Sequence, residues 1–234
     1  MSTIDVELVR SANATPIEVT VALMNTSAAK KSAGLLLVLF PFTHLPGPLL
    51  QFAFGLVKSN LMHLYLDAQD TGWSARSKME EMSDKDGRYL IAFKREGLSE
   101  EQASKVISHT DYTPLDSDTP VGYLYYIICM QDSYDDCDGG MGGDGKAPVI
   151  YCMELQMTPD ARNLGLGTAM MQMMEDVGRG FKLRRGMLTA FKKNEGALRF
   201  YKRLGYHPDL TSPSQCMSER RAGRYSYEIM RKGL

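Results

Sequence analysis

A strand that ends in a carboxylate and runs directly into a glycine-punctuated helix constrains this chain more than any other feature. Residues 149–157 are mostly apolar and have the length of a strand, while residues 168–177 are rich in good helix formers. Gly165 and Gly167 lie between them. Glycines let backbone N–H groups approach a ligand closely, and the positive end of the following helix points to the same place. The pattern predicts a site for an anionic phosphate, although a lone glycine pair also suits an ordinary connection.

A second motif follows this helix. Met187-Leu-Thr-Ala-Phe191 has the composition of a strand, and Asn194-Glu-Gly-Ala-Leu-Arg-Phe-Tyr-Lys-Arg-Leu-Gly-Tyr206 comes soon after it. Together with Arg162-x-x-Gly165-x-Gly167, this order resembles the acetyl-CoA-binding half of the GNAT superfamily of N-acetyltransferases. The resemblance implies an α/β (α+β) GNAT fold, with a mixed, mostly antiparallel central sheet flanked by helices on both faces. It also implies an acyltransferase with acetyl-CoA as cosubstrate and no metal.

The front half of the chain resembles one subfamily, the histone N-terminal acetyltransferases called NatD. The similar blocks cover two helices, a strand, the strand with the carboxylate and two later segments: residues 56–65, 72–82, 88–92, 151–156, 209–214 and 226–229. The resemblance implies acetylation of the N-terminal serine of histone H4 and of the A-type core histone, H2-A. The partners would then be the N-terminal tails of these two histones.

Acetyl transfer to an amine requires a base, an oxyanion donor and a proton for the departing thiolate. An N-terminal α-amine has a pKa of about 7.7 to 8.0, against about 10.4 for lysine, so a carboxylate deprotonates it more readily. Glu154, at the end of its strand, suits the role of base, with an exposed strand carboxylate as the alternative. The resemblance implies that Tyr201 donates the proton, with core packing as its alternative, and that the N–H near Leu155 stabilises the oxyanion.

The resemblance also implies two sets of binding residues. The cofactor set lies at the strand end, the glycine loop and the two helix starts: Leu155, Gln156, Met157, Arg162, Asn163, Leu164, Gly165, Leu166, Gly167, Thr168 and Asn194. The substrate set is largely aromatic, and core packing is the alternative for each aromatic side chain: Tyr65, Trp73, Tyr151, Met153, Thr189, Thr211 and Tyr227.

Three positions depart from the NatD pattern. Met153 replaces a tyrosine, and Thr71 stands where a tryptophan is expected. The acidic residue that the NatD pattern has in the third strand corresponds to a position near Cys129, where Asp132 is its close substitute. A histone arginine needs a local carboxylate, so these changes affect substrate recognition. Two other functions therefore stay open: a GNAT acetyltransferase for a lysine or small-molecule amine, and a non-catalytic CoA-binding chromatin-interaction protein.

The charge and cysteine content indicate which partners and which cellular compartment to expect for this chain. With 27 basic and 28 acidic residues the net charge is −1, which leaves no global basic field for direct nucleic-acid binding. The four cysteines have no metal-like spacing, and we expect reduced thiols in a monomer of the nucleus and cytoplasm. No segment predicts a membrane association.

The first fifty residues are the least regular part, so we predict an N-terminal extension, 1–50, and an acetyltransferase domain, 51–234. In the extension, residues 19–24 favour a strand, and the apolar run 34–40 indicates a buried or mobile insertion that is shorter than the roughly 20 residues a membrane span needs. In the domain we expect helices at 51–70 and 74–82 and strands at 88–94, 121–130 and 225–230. Residues 131–146, rich in glycine and aspartate, predict a mobile loop, either a neutral insertion or an acidic lip near the histone's arginine.

Overall fold

One eight-stranded sheet organises the part of the chain that the computed structural model describes, residues 3–24, 35–98, 105–133 and 145–234. The strands are β1 (Leu35–Pro41), β2 (Arg88–Lys94), β3 (Val106–Ser108), β4 (Thr119–Asp132), β5 (Lys146–Met157), β6 (Arg185–Phe191), β7 (His207–Pro208) and β8 (Tyr227–Gly233). Their spatial order is β3-β1-β2-β4-β5-β6-β8-β7. The pairs β1/β3 and β5/β6 are parallel and the other neighbours are antiparallel, which confirms the predicted mixed, mostly antiparallel sheet.

Helices cover both faces of this sheet. The described helices are α1 (Thr3–Ala14), α2 (Ile17–Met24), α3 (Gly47–Asp67), α4 (Ala75–Glu81), α5 (Leu166–Gly180), α6 (Glu195–Arg203), α7 (Pro213–Cys216) and α8 (Glu219–Ala222). Alternation along β2 divides the core: Leu90 packs with α5 on one face, and Tyr89 packs with α3 on the other. None of these helices combines the length and the apolar run that crossing a bilayer requires.

The N-terminal segment departs from the sequence-based expectation. Residues 19–24 were predicted as a strand because of their β-branched side chains, and this prediction is wrong: they belong to α2, which packs against α5. The apolar run is β1, which lies between β2 and β3 with its central residues buried. It is therefore an internal strand of the sheet, although it precedes the range 51–234 predicted for the domain.

The other predicted elements are present, with shifted ends. Strand β2 has its predicted bounds, and α4 begins after Ser74, whose side chain accepts a hydrogen bond from the Ser77 N–H. Helix α3 starts earlier than predicted because Pro48, in its first turn, fits a position where no N–H partner is needed. Strand β3 and the two-residue β7 were not predicted from the sequence. The mobile loop predicted at 131–146 is wrong at its ends, because Gln131 and Asp132 belong to β4 and Lys146 begins β5. Residues 134–144 of this loop, and with them both expectations for its role, lie outside the described residues.

Candidate active site

The site begins where β5 and β6 separate. Their parallel pairing joins Ile150–Cys152 to Gly186–Leu188 and, within the described strands, extends no further. The remainder of β5, from Glu154 to Met157, stays paired on its other side with β4. This half of β5 therefore has a free backbone edge facing the gap between the two strands.

A β-bulge sits at the point of separation. Tyr125 pairs with Glu154, but the next residue on β4 pairs with Cys152, which leaves Met153 as the extra residue of β5. Further along, Thr158 donates its N–H to Val121 on β4. Because successive N–H groups of a strand point to opposite sides, the N–H of Leu155 points into the gap.

Two cavities meet in this gap. The first, of about 570 Å³, lies between α3, α4, β5, β6 and β8, and the second, of about 630 Å³, lies beside α3, α5 and α6. Residues common to both linings mark the junction: Leu61, Leu155, Gln156, Asn194, Ala197 and Tyr201. A ligand in either cavity would therefore be in contact with a ligand in the other at this junction.

The cavities differ in charge. Lys78, Glu81 and Glu154 line the first cavity, so its charged side chains sum to an excess of one negative charge when all are ionised. Arg162 and Arg203 line the second, and none of its described lining residues is Asp or Glu. The second cavity thus favours an anion, and the first favours a cationic or neutral amine.

The second cavity has backbone suited to a phosphate. Gly165 has φ of 82°, in the left-handed region that favours glycine, and it caps α5 without a side-chain hydrogen bond to the helix N–H groups. A Cβ on Gly167 would come within 3.3 Å of the Phe200 ring, so a larger side chain would fill the space at the start of α5. The first N–H groups of a fifteen-residue helix are consequently open to the cavity.

Glu154 lies at the inner end of the first cavity. Its side chain is 5% exposed and accepts hydrogen bonds from Lys78 Nζ at 3.0 Å and from Gln156 Nε2 at 2.8 Å. Burial raises the pKa of Glu154 above its ordinary value, while the charge of Lys78 acts in the opposite direction. A buried carboxylate with a raised pKa in the wall of a cavity is suited to accept a proton from an amine.

A chain of hydrogen bonds connects Glu154 with the second cavity. Asn60 Nδ2 on α3 donates to Gln156 Oε1 at 3.0 Å, and Arg162 donates to Asn60 Oδ1 at 2.7 Å. Gln156 in turn donates to Glu154. Arg162, whose side chain would meet a phosphate, and the carboxylate of Glu154 are therefore joined through two amides.

Tyr201 lies at the junction of the cavities. Its side chain is 9% exposed, and burial raises its pKa well above the ordinary value. The hydroxyl therefore stays protonated at neutral pH and can donate a proton or a hydrogen bond.

Most of the predicted binding residues lie at these cavities. The first cavity is lined by the predicted substrate residues Tyr65, Tyr151, Met153, Thr189 and Tyr227. The predicted cofactor residues at the second are Leu155, Gln156, Met157, Arg162, Asn163, Gly165, Gly167, Thr168 and Asn194. Asn194 also caps α6 by accepting a hydrogen bond from the Ala197 N–H.

Four predicted residues lie elsewhere. Trp73 packs edge-on against Tyr65 at 5.5 Å, so it supports the cavity wall from behind, and Thr211 donates its hydroxyl to Asp209 at 2.6 Å. Leu164 is 67% exposed at the loop tip, whereas Leu166 is buried in the core. A direct ligand contact by the side chains of these four is thus not supported by the lining of either cavity.

The polar residues at the site that were not predicted include Lys78, Glu81, Asn60 and Arg203. Lys78 and Glu81 lie three residues apart on α4, and this spacing puts both on one helix face. A lysine within a helix ordinarily indicates an exposed position, so nothing in the sequence indicated that Lys78 is buried, with a side chain only 6% exposed. Asp132, the acidic residue suggested by the sequence, is absent from the described lining of the cavity, which includes its neighbour Gln131.

A known protein family matches this chain. The acetyltransferase (GNAT) family model matches residues 64–206, more than half of the chain. The chain belongs to the GNAT acetyltransferase family. The matched range includes the bulged strand, the glycine loop and the helix that carries Tyr201.

The chain is also similar to several solved structures. An acetyltransferase from Streptococcus agalactiae has 13% identity and a TM-score of 0.52, over 86% of this chain and 99% of that one. Arabidopsis thaliana NAA60, in complex with a bisubstrate analogue, has 12% identity and a TM-score of 0.47, over 85% and 99% of the chains. The PaiA N-acetyltransferase from Thermoplasma acidophilum, in complex with coenzyme A, has 14% identity and a TM-score of 0.48, also over 85% and 99%.

The residues of this GNAT acetyltransferase fit acetyl-CoA, the acetyl donor of the family. Its phosphates require N–H donors and positive charge, which the start of α5, Arg162 and Arg203 supply at the second cavity. Its pantetheine amides require backbone partners, which the free edge of β5 supplies. The thioester would then reach the junction beside Tyr201 and Glu154.

Proposed function

We propose that this GNAT acetyltransferase acetylates protein N-terminal α-amines, and that its substrates are the Ser-Gly-Arg-Gly termini of histone H4 and histone H2-A. The observation that carries this proposal is the buried Glu154 in the wall of the negatively charged cavity, next in the chain to Leu155, where that cavity meets the positively charged one. An α-amine, with a pKa of about 7.7 to 8.0, loses its proton to such a carboxylate far more readily than a lysine of about 10.4.

The residues divide the reaction among them. Bound acetyl-CoA supplies an acetyl thioester. Glu154 takes the proton of the amine as its nitrogen forms a bond to the acetyl carbon, directly or through one water. The N–H of Leu155 donates to the acetyl oxygen as it gains negative charge. Tyr201 gives its proton to the sulfur as the carbon–sulfur bond breaks, and it recovers a proton from solvent.

The walls of the first cavity suit a small, flexible peptide terminus. Tyr65 packs edge-on against Phe191 at 4.7 Å, and Tyr151 shares a hydrogen bond of 2.5 Å with Thr189. Such fixed aromatic walls restrict the volume open to the second residue, which favours glycine. Glu81, whose side chain is 38% exposed, is the carboxylate available to a cationic side chain of the substrate.

The oligomeric state, cellular location and partners that we propose are those that suit these substrates. The protein would act as a monomer on histone tails in the cytoplasm and the nucleus, without binding nucleic acid or membrane. Its contacts would be restricted to the first residues of the tail, since the first cavity has room for only a short segment.

A peptide assay tests the substrate. Wild-type protein and acetyl-CoA are incubated with a Ser-Gly-Arg-Gly peptide, with the same peptide blocked at its α-amine and extended by a lysine, and with Ser-Gly-Ala-Gly. Mass spectrometry is expected to find acetylation of the first peptide, none of the second and weaker acetylation of the third. Modification of the blocked lysine peptide alone would instead support a lysine acetyltransferase.

The role of Glu154 requires a separate test. Glu154→Gln keeps the size of the side chain and one of its two acceptor oxygens but removes its basicity, so kcat/KM should fall by roughly 10²-fold to 10⁴-fold. Calorimetry should find the Kd for acetyl-CoA unchanged within about two-fold, because Glu154 lies outside the described lining of the second cavity. Wild-type protein that binds acetyl-CoA but modifies no peptide would indicate a non-catalytic binding protein.

A further inference from the structure

Burial opposes the ionisation of a carboxylate that acts as a base, and the residues around Glu154 offset this effect. Its side chain is 5% exposed, and burial favours the neutral acid over the carboxylate. A neutral Glu154 could not accept the proton of an amine. The site therefore needs a partner that stabilises the negative charge without access to water.

Lys78 is placed to be that partner. It projects from α4 into the site with a side chain that is 6% exposed, and Nζ lies 3.0 Å from Glu154 Oε1 and 2.8 Å from Glu81 Oε1. The ammonium also lies 5.2 Å from the centre of the Tyr65 ring. With two carboxylates and an aromatic face around it, the ammonium retains its proton despite burial.

The remaining groups that face Glu154 are neutral or acidic. The titratable groups near it come from six elements: Tyr65 on α3, Glu81 on α4, Tyr89 on β2, Tyr123 on β4, Cys152 on β5 and Tyr201 on α6. Burial raises the pKa of each tyrosine and of the Cys152 thiol, so these five stay uncharged at neutral pH. Lys78 and Glu81 are thus the charges that act on Glu154.

We propose that Lys78 is a positioning residue of the active site: it keeps the buried Glu154 ionised and holds its carboxylate in the first cavity, beside the cavity junction. Glu81 competes with Glu154 for the same ammonium, so the two α4 residues act on the base with opposite signs. This inference rests on the proposed function for the identity of the amine, but the charge state of Glu154 is measurable without any substrate.

The test is a titration of Glu154 in protein labelled with ¹³C at the glutamate carboxyl carbons, with Glu154→Gln to assign its signal. In Lys78→Met the pKa of Glu154 should rise by at least about one unit, because the compensating charge is lost. In Lys78→Arg it should stay within about half a unit of wild type, because the charge is kept. In Glu81→Gln it should fall, because the competing carboxylate is removed.

The pH dependence of activity should change in parallel with the pKa of Glu154. The acidic limb of kcat/KM should move to higher pH in Lys78→Met, with a loss of about ten-fold per pKa unit below the limb and recovery above it. Lys85→Met removes the same charge from an exposed position next to α4 and should leave both profiles unchanged. Circular dichroism of each variant checks that the fold is intact.

The outcomes separate the two proposals. If Glu154 titrates in folded Lys78→Met as in wild type, the role of Lys78 is wrong. If Lys78→Met does not fold, Glu81→Gln decides, since an unchanged or raised pKa there contradicts the inference. If wild type leaves every α-amine unmodified, the proposed function fails, while the titration still judges Lys78.

Discussion

At the scale of single residues, the site depends on polar groups that burial has made unusual. Glu154, Lys78 and Tyr201 are each less than one tenth exposed, and each differs in pKa from the same residue in water. The carboxylate can accept a proton, and the tyrosine can supply one. Two side chains of opposite function thus line the first cavity, and burial shifts both of their pKa values upwards.

The hydroxyl of Tyr201 provides a prediction at this scale. In Tyr201→Phe the packing is kept but the donor for the leaving sulfur is lost, so kcat should fall by about 10²-fold. The Kd for acetyl-CoA, measured by calorimetry, should change little. Since the pKa of Tyr201 lies well above its ordinary value, the variant should show the same loss at every pH from 7 to about 9.

Tyr206→Phe is the matched control. Tyr206 is 2% exposed and packs edge-on against Tyr201 at 6.1 Å, but it is not among the residues lining either cavity. Its kcat should stay within about two-fold of wild type. Equal losses in both variants would mean that the tyrosines serve packing, and that another group protonates the sulfur.

At the scale of elements, the glycine loop determines whether α5 can receive an anion. Asn163 and Gly165 both have positive φ, of 63° and 82°, so the loop turns sharply before the helix. Asparagine tolerates this region better than most residues, and glycine adopts it without strain. The turn leaves the first N–H groups of α5 uncapped by any side chain and facing the second cavity.

Gly165→Ala tests this element. Alanine in the left-handed region should lower the free energy of unfolding by roughly 1 to 2 kcal/mol, measured by urea denaturation. The strain should also displace the N–H groups and weaken acetyl-CoA binding in calorimetry.

Gly55→Ala should have the opposite effect on stability. Gly55 lies inside α3 with no atom within 4 Å of an added Cβ, so the substitution should raise the free energy of unfolding by about 0.5 to 1 kcal/mol. Acetyl-CoA binding should be unchanged. A Gly165→Ala variant as stable as Gly55→Ala would contradict the role of the left-handed turn.

At the scale of the whole molecule, the sheet begins with a strand that precedes the motif-bearing part. Strand β1 pairs with β2 along seven residues and with β3 along three, and it lies on the side of the sheet away from β6. Its residues contribute to both core clusters, with Leu37 and Leu39 on one face and Leu36 and Val38 on the other. The helices that form the site therefore pack on a sheet that includes residues before 51.

Leu39→Ala measures the contribution of β1. Leu39 is fully buried, so the substitution should lower the free energy of unfolding by about 2 to 5 kcal/mol. Leu115→Ala, at a residue 49% exposed, should change it by less than about 0.5 kcal/mol. A chain that starts at residue 51 should show no cooperative unfolding, whereas cooperative unfolding of that chain would mean that β1 is dispensable.

The sequence determined the local elements and the family. The strand, glycine loop and helix were readable because each depends on neighbouring residues: apolar content, positive φ and helix propensity. The same holds for Ser74 and Asn194, whose side chains cap the helices that follow them. Glu154 stood out because it lies near the end of an apolar strand, shortly before that loop.

Tertiary structure alone decided what surrounds that carboxylate and where the N-terminal segment lies. Lys78 and Glu154 are separated by 76 positions, and nothing local indicates that a helix lysine is buried against a strand glutamate. Likewise, residues 19–24 have strand composition but lie in a helix, because packing against α5 outweighs a propensity difference of less than about 1 kcal/mol per residue. Patterns along the chain encode short-range preferences, whereas the charge environment of a buried group is a sum over residues that only folding brings together.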